Sequence, residues 1–241
     1  DGRVKTLHPK IYGSLLCDLE KLSHTQQCEE HQIPDIKTVI VNLYPFRKTT
    51  LDSQSSHSDI IENIDIGGVT LIRAAAKNYK YITVIVDPND YGDVINNMSS
   101  ITPDYRHYLA GKAFKIISEY DSHISNYFNT QESKSNSTPK SYSRNYQLSE
   151  ELKYGCNPYQ KKAGIYTILE NNPFQILNGK LGYINILDAI YSWQLVQELS
   201  ECLEIECAAS YKHTSPAGVG TAKPLSNQLH YMYDIPHNKD L

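Results

Sequence analysis

A lysine and a histidine stand side by side at Lys212 and His213, directly after the apolar run 207–211. The run predicts a short buried strand over 208–211 that ends in a turn, which is where α/β proteins expose side chains to ligands. The pair offers a fixed cation and a group that gives or takes a proton near neutral pH. Two solvated surface residues are the alternative interpretation, because such side chains are common on protein surfaces.

A second polar cluster lies at the beginning of the sequence and contains Arg3, Lys5 and Thr6. Arginine supplies a planar fork for an anion and lysine supplies a point charge. The chain has a net charge of −4, so the cluster predicts a local phosphate or carboxylate pocket. A solvated basic turn is the alternative.

A third cluster is the segment 62–70 (ENIDIGGVT), which places Asp65 and Ile66 before the glycine pair Gly67 and Gly68. Glycines at a helix start let a ligand approach the free backbone N–H groups. Tight packing explains the glycine pair equally well. Lys77 follows one helix later.

Further candidate ligand contacts lie at two other places. Asn42 and Tyr44 follow a predicted strand, at the position where α/β proteins gather ligand contacts. Lys153 and Tyr154 precede an Asn-Pro turn whose aromatic neighbours could stack on a flat ligand. The sequence contains no GxGxxG or GxxxxGK[ST] motif, which argues against a nucleotide-cofactor site. It shows no Ser-His-Asp or Cys-His arrangement and its histidines lack metal-ligand spacing, which argues against hydrolases and metalloenzymes.

The elements that position these residues indicate the α/β class. Apolar runs predict strands over 38–44 and 81–87, with a helix over 69–77 between them, the order typical of a parallel sheet. A helical pattern covers 103–128, and the polar segment 129–147 reads as a linker. The predicted domains are therefore 1–128 and 148–241. In the second, a strand at 164–169 and an amphipathic helix at 187–203 precede the strand at 208–211.

Composition excludes several classes of protein. The chain is 40% hydrophobic and 21% charged, as expected of a globular protein, and its acidic balance offers no general attraction to nucleic acid or anionic membranes. Five cysteines without a CxxC pair indicate reduced thiols and a cytosolic location. Tyrosine occurs 19 times, and the sequence alone offers no explanation.

Taken together, the motifs resemble one family, the bifunctional purine-biosynthesis enzymes that combine AICAR transformylase with IMP cyclohydrolase. The matching segments run in the family's order along nearly the whole chain: 1–11 (DGRVKTLHPKI), 42–46 (NLYPF), 62–71 (ENIDIGGVTL), 73–78 (RAAAKN), 154–160 (YGCNPYQ), 177–179 (LNG), 182–185 (GYIN) and 212–218 (KHTSPAG).

The resemblance implies the last two steps of de novo purine synthesis. A formyl group passes from the cosubstrate 10-formyltetrahydrofolate to AICAR, and formyl-AICAR then closes to IMP with loss of water, without a metal. It also implies a methylglyoxal-synthase-like cyclohydrolase domain (1–128, incomplete at its N-terminus) and the start of a cytidine-deaminase-like transformylase domain (148–241). The full-length protein is expected to be a cytosolic homodimer that binds neither nucleic acid nor membranes.

The same resemblance implies roles for individual residues. The predicted catalytic residues are Lys77, Lys212, His213, Lys5, Tyr44 and Asp65. The predicted substrate-binding residues are Arg3, Thr6, Asn42, Ile66, Gly67, Gly68, Lys153 and Tyr154. Lys77 would act as acid and base in ring closure, whereas His213 would deprotonate the AICAR amine and Lys212 would stabilise the formyl oxyanion.

The sequence departs from the family pattern at four positions, namely Tyr12, Ser14, Lys153 and Tyr159, where the family usually has histidine, glycine, arginine and histidine. The family's N-terminal phosphate loop and the C-terminal half of its transformylase are also absent from the sequence. We therefore expect a fragment that is inactive or impaired by itself. A degenerate paralogue that serves only as a nucleotide-binding or dimerisation module is the alternative.

Overall fold

The computed structural model describes residues 6–97, 100–132, 141–168 and 174–236. The chain divides into two compact units, Asp1–Asn145 and Tyr146–Leu241. Each unit combines helices with one or two small sheets, so the predicted α/β class is confirmed at the level of a mixed α/β protein with a small parallel sheet.

The first unit is mainly helical. Its described elements are α1 (Pro9–Leu16), α2 (Leu22–Glu30), β1 (Thr38–Ile40), α3 (Phe46–Leu51), α4 (His57–Glu62), α5 (Gly67–Lys77), β2 (Thr83–Ile85), a 3₁₀ turn (Pro88–Asp90), α6 (Tyr91–Asn96) and α7 (Pro103–Glu132).

Strands β1 and β2 form the predicted parallel pair, with Val39 opposite Val84. Each strand is shorter than its apolar run because only three residues on each side enter the paired ladder. Val41 still donates a backbone hydrogen bond to Ile85 O at 3.0 Å, and the chain then leaves the sheet towards Pro45. The residues that follow β1 are therefore free to form a loop at the carboxyl end of the pair.

The core of the first unit lies between the sheet and helices α1, α5 and α7. Leu15, Ile72, Val84, Ala113 and Ile117 are fully buried there. A second cluster joins Phe46 to Ile60 and Tyr120, with the Phe46 and Tyr120 rings edge to face at 6.1 Å between centroids. These two clusters fix helices α5 and α7 relative to the loop that follows β1.

Helix α7 extends to Glu132, beyond the predicted end at residue 128. The later segment 141–145 is also bonded to α7, since Asn126 Nδ2 donates to Ser143 O at 2.8 Å and Asn145 Nδ2 donates to Ser122 Oγ at 2.8 Å. The described part of the predicted linker interval 129–147 therefore contains residues that belong structurally to the first unit.

The second unit contains two antiparallel strand pairs and two helices among its described residues. Its elements are β3 (Gln147–Glu151), β4 (Gly164–Thr167), α8 (Tyr183–Leu203), β5 (Cys207–Lys212), β6 (Ser215–Thr221) and α9 (Asn227–Met232). Strand β3 pairs with β4, and β5 pairs with β6.

The predicted buried strand at 208–211 is a strand, but the prediction that it is buried is wrong. In β5 half-buried residues alternate with exposed ones, and every residue of its partner β6 is exposed. The reason is that β5 belongs to a two-stranded hairpin, which has one face open to solvent. Strand β6 was not predicted, because its glycine- and proline-containing sequence carries no strand signal.

Candidate functional site

A cavity of about 180 Å³ lies at the carboxyl end of β1 in the first unit. Its lining collects nearly all the described candidate residues of this unit, namely Thr6, Asn42, Tyr44, Asp65, Ile66, Gly67 and Gly68, together with Val41 and Leu71. The loop after β1 supplies Asn42 and Tyr44, and the loop before α5 supplies Asp65. This volume is below the roughly 300–1,000 Å³ of typical small-molecule pockets, so the cavity has room for only part of a typical small-molecule ligand.

Asp65 is the buried acid of this cavity, with 7% of its surface exposed. Its Oδ1 accepts a hydrogen bond of 2.7 Å from the backbone N–H of Gly68, in the first turn of α5. A carboxylate at this place also interacts favourably with the positive end of the helix dipole. Asp65 therefore accepts a hydrogen bond from one N–H group in the first turn of α5 and at the same time presents an acidic group to the cavity.

Gly68 allows the close approach of this carboxylate. A Cβ atom added at Gly68 would lie 2.5 Å from Asp65 Oδ2, closer than real Cβ contacts allow. Gly68 thus serves tight packing, the alternative left open by the sequence, and the packed group is the acid of the candidate site.

Asn42 is oriented by Tyr91, whose hydroxyl donates to Asn42 Oδ1 at 2.7 Å. Within the described residues, the amide nitrogen of Asn42 has no hydrogen-bond partner and can donate to a ligand. Tyr44 lies half-buried in the same loop. The cavity lining therefore combines the carboxylate of Asp65 with the amide donor of Asn42 and with Tyr44.

Three predicted residues of the first unit are not in this lining. Arg3 and Lys5 lie outside the described residues, although Thr6 next to them lines the cavity. Lys77 is exposed at the last residue of α5. Ten residues separate it from Gly67, which corresponds to about 15 Å along the helix axis. Its acid/base role stays a prediction.

Lys212 and His213 lie at the tip of the β5–β6 hairpin. Lys212 pairs with Ser215, and the two residues between them have left-handed backbone angles, with φ of 54° at His213 and 64° at Thr214. Such angles strain non-glycine residues, and above all a β-branched threonine. The N–H of Thr214 donates to Asp188 Oδ1 on α8 at 2.6 Å, which holds the turn. Lys212 and His213 are both exposed.

Lys153 and Tyr154 enter a tight turn after β3. The N–H of Lys153 donates to Leu181 O at 3.0 Å, and the N–H of Cys156 donates to Gln160 Oε1 at 2.7 Å. The side chain of Lys153 is exposed, whereas Tyr154 is half-buried. Their predicted contact with AICAR stays a prediction.

An ion-pair cluster fixes the turn that precedes Tyr91. Lys112 Nζ on α7 lies 2.7 Å from Asp87 Oδ2 and 2.8 Å from Asp90 Oδ2. Burial alone would lower the pKa of Lys112, but the hydrogen bonds to Asp87 and Asp90 outweigh burial and raise it. The hydrogen bond from Lys112 in turn lowers the pKa of Asp87. The cluster therefore holds the 3₁₀ turn to α7, next to the tyrosine that orients Asn42.

Several residues that contact the candidate residues of one unit or the other were not predicted as site residues from the sequence. Tyr12, Tyr91, Tyr120 and Asp188 each bond to a candidate residue or to its immediate neighbour. The signal for the three tyrosines was the high tyrosine content of the chain, but a count cannot show which tyrosines contact the candidate residues.

The change at Ser14 carries no backbone strain. Ser14 lies within α1, and it is not among the described residues with positive φ. Its hydroxyl accepts a hydrogen bond of 2.9 Å from the N–H of Ile36. A serine in place of the family's glycine is therefore compatible with this backbone.

No group of three or more His, Cys, Asp or Glu side chains within the described ranges is arranged to hold a metal ion. No described helix is both long and apolar enough to cross a membrane.

Comparison with known proteins decides the family. A family model described as AICARFT/IMPCHase bienzyme matches residues 75–235. This chain belongs to the AICARFT/IMPCHase family. The match covers the end of α5, helix α7 and most of the second unit, so family membership rests on both units.

Individual members of the family are similar over nearly the whole chain. The bifunctional purine biosynthesis protein PurH of Lysinibacillus sphaericus is 42% identical, covering 97% of this chain and 46% of that protein. PurH of Oceanobacillus iheyensis is 40% identical with the same coverage. A crystal structure of ForH is 34% identical and covers 53% of this chain and 67% of that chain, with a TM-score of 0.45. The chain thus spans about half the length of the curated relatives that it matches.

Proposed function

We propose that the first unit carries part of an IMP cyclohydrolase site and that the second unit carries part of an AICAR transformylase site. The observation that carries the proposal is the cavity at the end of β1, where the carboxylate of Asp65, the amide of Asn42 and the phenol of Tyr44 converge beside a glycine turn. Membership of the AICARFT/IMPCHase family supports the same function.

The groups in the cavity suit the chemistry of ring closure. The amide nitrogen of formyl-AICAR attacks the formyl carbon, so negative charge develops on the formyl oxygen. That oxygen then takes up two protons, equivalent to those lost by the attacking nitrogen and by the formamide nitrogen, and leaves as water when its bond to the carbon breaks. Asn42 and Tyr44 supply hydrogen-bond donors for that oxygen. Asp65 accepts the proton that the attacking nitrogen loses. In the same proposal Arg3 and Thr6 bind the nucleotide, Lys5 is assigned to catalysis beside them, and Lys77 remains the assigned acid/base.

The second unit would contribute to formyl transfer from 10-formyltetrahydrofolate. His213 removes a proton from the AICAR amine, and Lys212 stabilises the oxyanion on the formyl carbon. Lys153 and Tyr154 hold the AICAR nucleotide. The support is the strained turn at His213 and Thr214, because strained backbone is concentrated at functional sites.

The proposal includes the wider features that the family resemblance implies. We assign the first unit to a methylglyoxal-synthase-like fold, supported by the parallel β1–β2 pair with α5 between the strands in sequence. We assign the second unit to a cytidine-deaminase-like fold. A homodimeric full-length protein in the cytosol completes the proposal, and the five free cysteines support the reducing location.

Binding of IMP tests the cyclohydrolase assignment directly. Isothermal titration of the 241-residue chain should show IMP binding that weakens about tenfold in Asp65→Asn, since one charge-assisted hydrogen bond is lost. Asp121→Asn is the matched control, because Asp121 is exposed on α7 and does not line the cavity. No IMP binding, or equal affinity in both variants, would refute the assignment.

A binding or dimerisation module that has lost catalysis is the second candidate. The changes at Lys153 and Tyr159 favour it, and Tyr159 is 92% exposed with no role in the described structure beyond its turn. Grafting this chain into a full-length PurH and assaying both steps separates the two candidates. Loss of both activities despite normal IMP binding would support the module.

A further inference from the structure

Three tyrosine hydroxyls surround the cavity of the first unit without lining it. They belong to Tyr12 on α1, Tyr91 on α6 and Tyr120 on α7, three helices that approach the cavity as separate elements. Each hydroxyl bonds to a different part of the cavity wall. If packing were the only role of these residues, phenylalanine would serve equally well, so their hydroxyls need a separate explanation.

Tyr120 holds the loop that carries Asp65. Its ring is buried against Phe46, and its hydroxyl accepts a hydrogen bond of 2.8 Å from the N–H of Asp65 while donating one of 3.0 Å to Asn63 O. Burial raises the pKa of Tyr120, which keeps the donor protonated. Without this hydroxyl, two backbone groups beside the buried acid would lose their partner.

Tyr12 joins Thr6 to the first turn of α5. Its hydroxyl lies 3.1 Å from Thr6 O and 2.6 Å from Thr70 Oγ1. Thr70 Oγ1 in turn lies 2.9 Å from Ile66 O and 3.0 Å from Gly67 O. The hydroxyl groups of Tyr12 and Thr70 therefore form one hydrogen-bonded network with these backbone oxygens. The network links two segments of the cavity wall that are far apart in sequence.

Tyr91 sets the orientation of Asn42. Because its hydroxyl donates to Asn42 Oδ1, the amide nitrogen of Asn42 is the end left to donate to a ligand. Tyr91 begins α6 directly after the turn held by Lys112, so its own position is fixed from α7.

We propose that Tyr12, Tyr91 and Tyr120 are positioning residues whose hydroxyls hold Thr6, Asn42 and Asp65 in the geometry that binds a purine nucleotide. The proposal rests on the proposed cyclohydrolase function for the identity of the ligand. It explains part of the tyrosine content, and it gives Tyr12, a departure from the family pattern, a function at the site rather than a sign of decay.

The test compares tyrosine-to-phenylalanine variants of the 241-residue chain. Tyr12→Phe, Tyr91→Phe and Tyr120→Phe should each weaken IMP binding about three- to tenfold in calorimetry, the effect of one lost hydrogen bond. Tyr81→Phe is the matched control, because its hydroxyl bonds to Asp18 Oδ1 and Tyr81 does not line the cavity. Affinities in the three variants equal to that of Tyr81→Phe would overturn the proposal.

A second measurement without ligand separates this proposal from the proposed function. Hydrogen exchange of the Gly68 amide should be faster in Tyr12→Phe and Tyr120→Phe than in Tyr81→Phe, and the side-chain amide resonances of Asn42 should shift in Tyr91→Phe. If the unmodified chain does not bind IMP, the proposed function fails, and these ligand-free changes still support positioning. Unchanged exchange and resonances would refute positioning whether or not IMP binds.

Discussion

Replacement of Gly68 by alanine has two opposing effects on the stability of the start of helix α5. Alanine favours a helix over glycine by up to about 1 kcal/mol. Against this, the new Cβ would lie 2.5 Å from Asp65 Oδ2 and 2.9 Å from Asp65 Cγ. The carboxylate must move, and it is buried and bonded to the Gly68 N–H at 2.7 Å.

The magnitudes decide the sign of the change. Overpacking of this kind costs about 1–3 kcal/mol, and loss of the hydrogen bond from the Gly68 N–H to Asp65 costs about 1 kcal/mol more. After the helix-propensity gain of about 1 kcal/mol is subtracted, Gly68→Ala should lower the free energy of unfolding by about 1–3 kcal/mol. Because the displaced group is the acid of the cavity, IMP affinity should fall as well.

Gly111→Ala provides the matched control. Gly111 is exposed within α7, and a Cβ added there has no atom within 4 Å. The same substitution should therefore stabilise the chain by about 0.5–1 kcal/mol. Urea unfolding followed by far-UV circular dichroism measures both variants. If Gly68→Ala stabilises the chain as Gly111→Ala does, the contact between Asp65 and Gly68 does not constrain the helix start.

Three further predictions concern ionisable groups of the first unit. Lys112→Met should lower the free energy of unfolding by about 2 kcal/mol, as measured by urea unfolding. This is less than the roughly 3–5 kcal/mol lost when one partner of a fully buried pair is removed, because the Lys112 side chain is 22% exposed. The hydrogen bond from Lys112 depresses the pKa of Asp87, so its contribution to stability is present above about pH 4 and is lost as the pH falls through the folded-state pKa. When the pH is lowered, the free energy of unfolding should fall less in Lys112→Met than in the unmodified chain. An equal fall in both would contradict the pairing of Lys112 with Asp87. Burial and a hydrogen bond with Cys28 raise the pKa of Cys17 to about 11, so iodoacetamide at about pH 8 should label exposed Cys156 and spare Cys17, as read by mass spectrometry.

The local sequence was sufficient to predict the elements whose patterns involve only neighbouring residues. The apolar runs before Pro45 and Pro88 predicted two strands, and the Gly67–Gly68 pair predicted the start of α5. Burial of the strand at 208–211 could not be predicted, because an apolar run does not show which partner covers it. Its partner β6 is a glycine- and proline-containing strand that forms only as the other half of a hairpin.

For the candidate site, the sequence by itself determined which groups are available and which family they resemble. Motifs of consecutive residues were enough to predict Asp65, Asn42 and Tyr44 as site residues. Only the tertiary structure decided which of them meet, because that depends on the parallel pairing of β1 with β2 and on the packing of α5 against α7. The same packing brings the tyrosine hydroxyls to the cavity wall and leaves Lys77 at the far end of α5. Contacts between residues distant in sequence depend on the packed fold, so no local pattern encodes them.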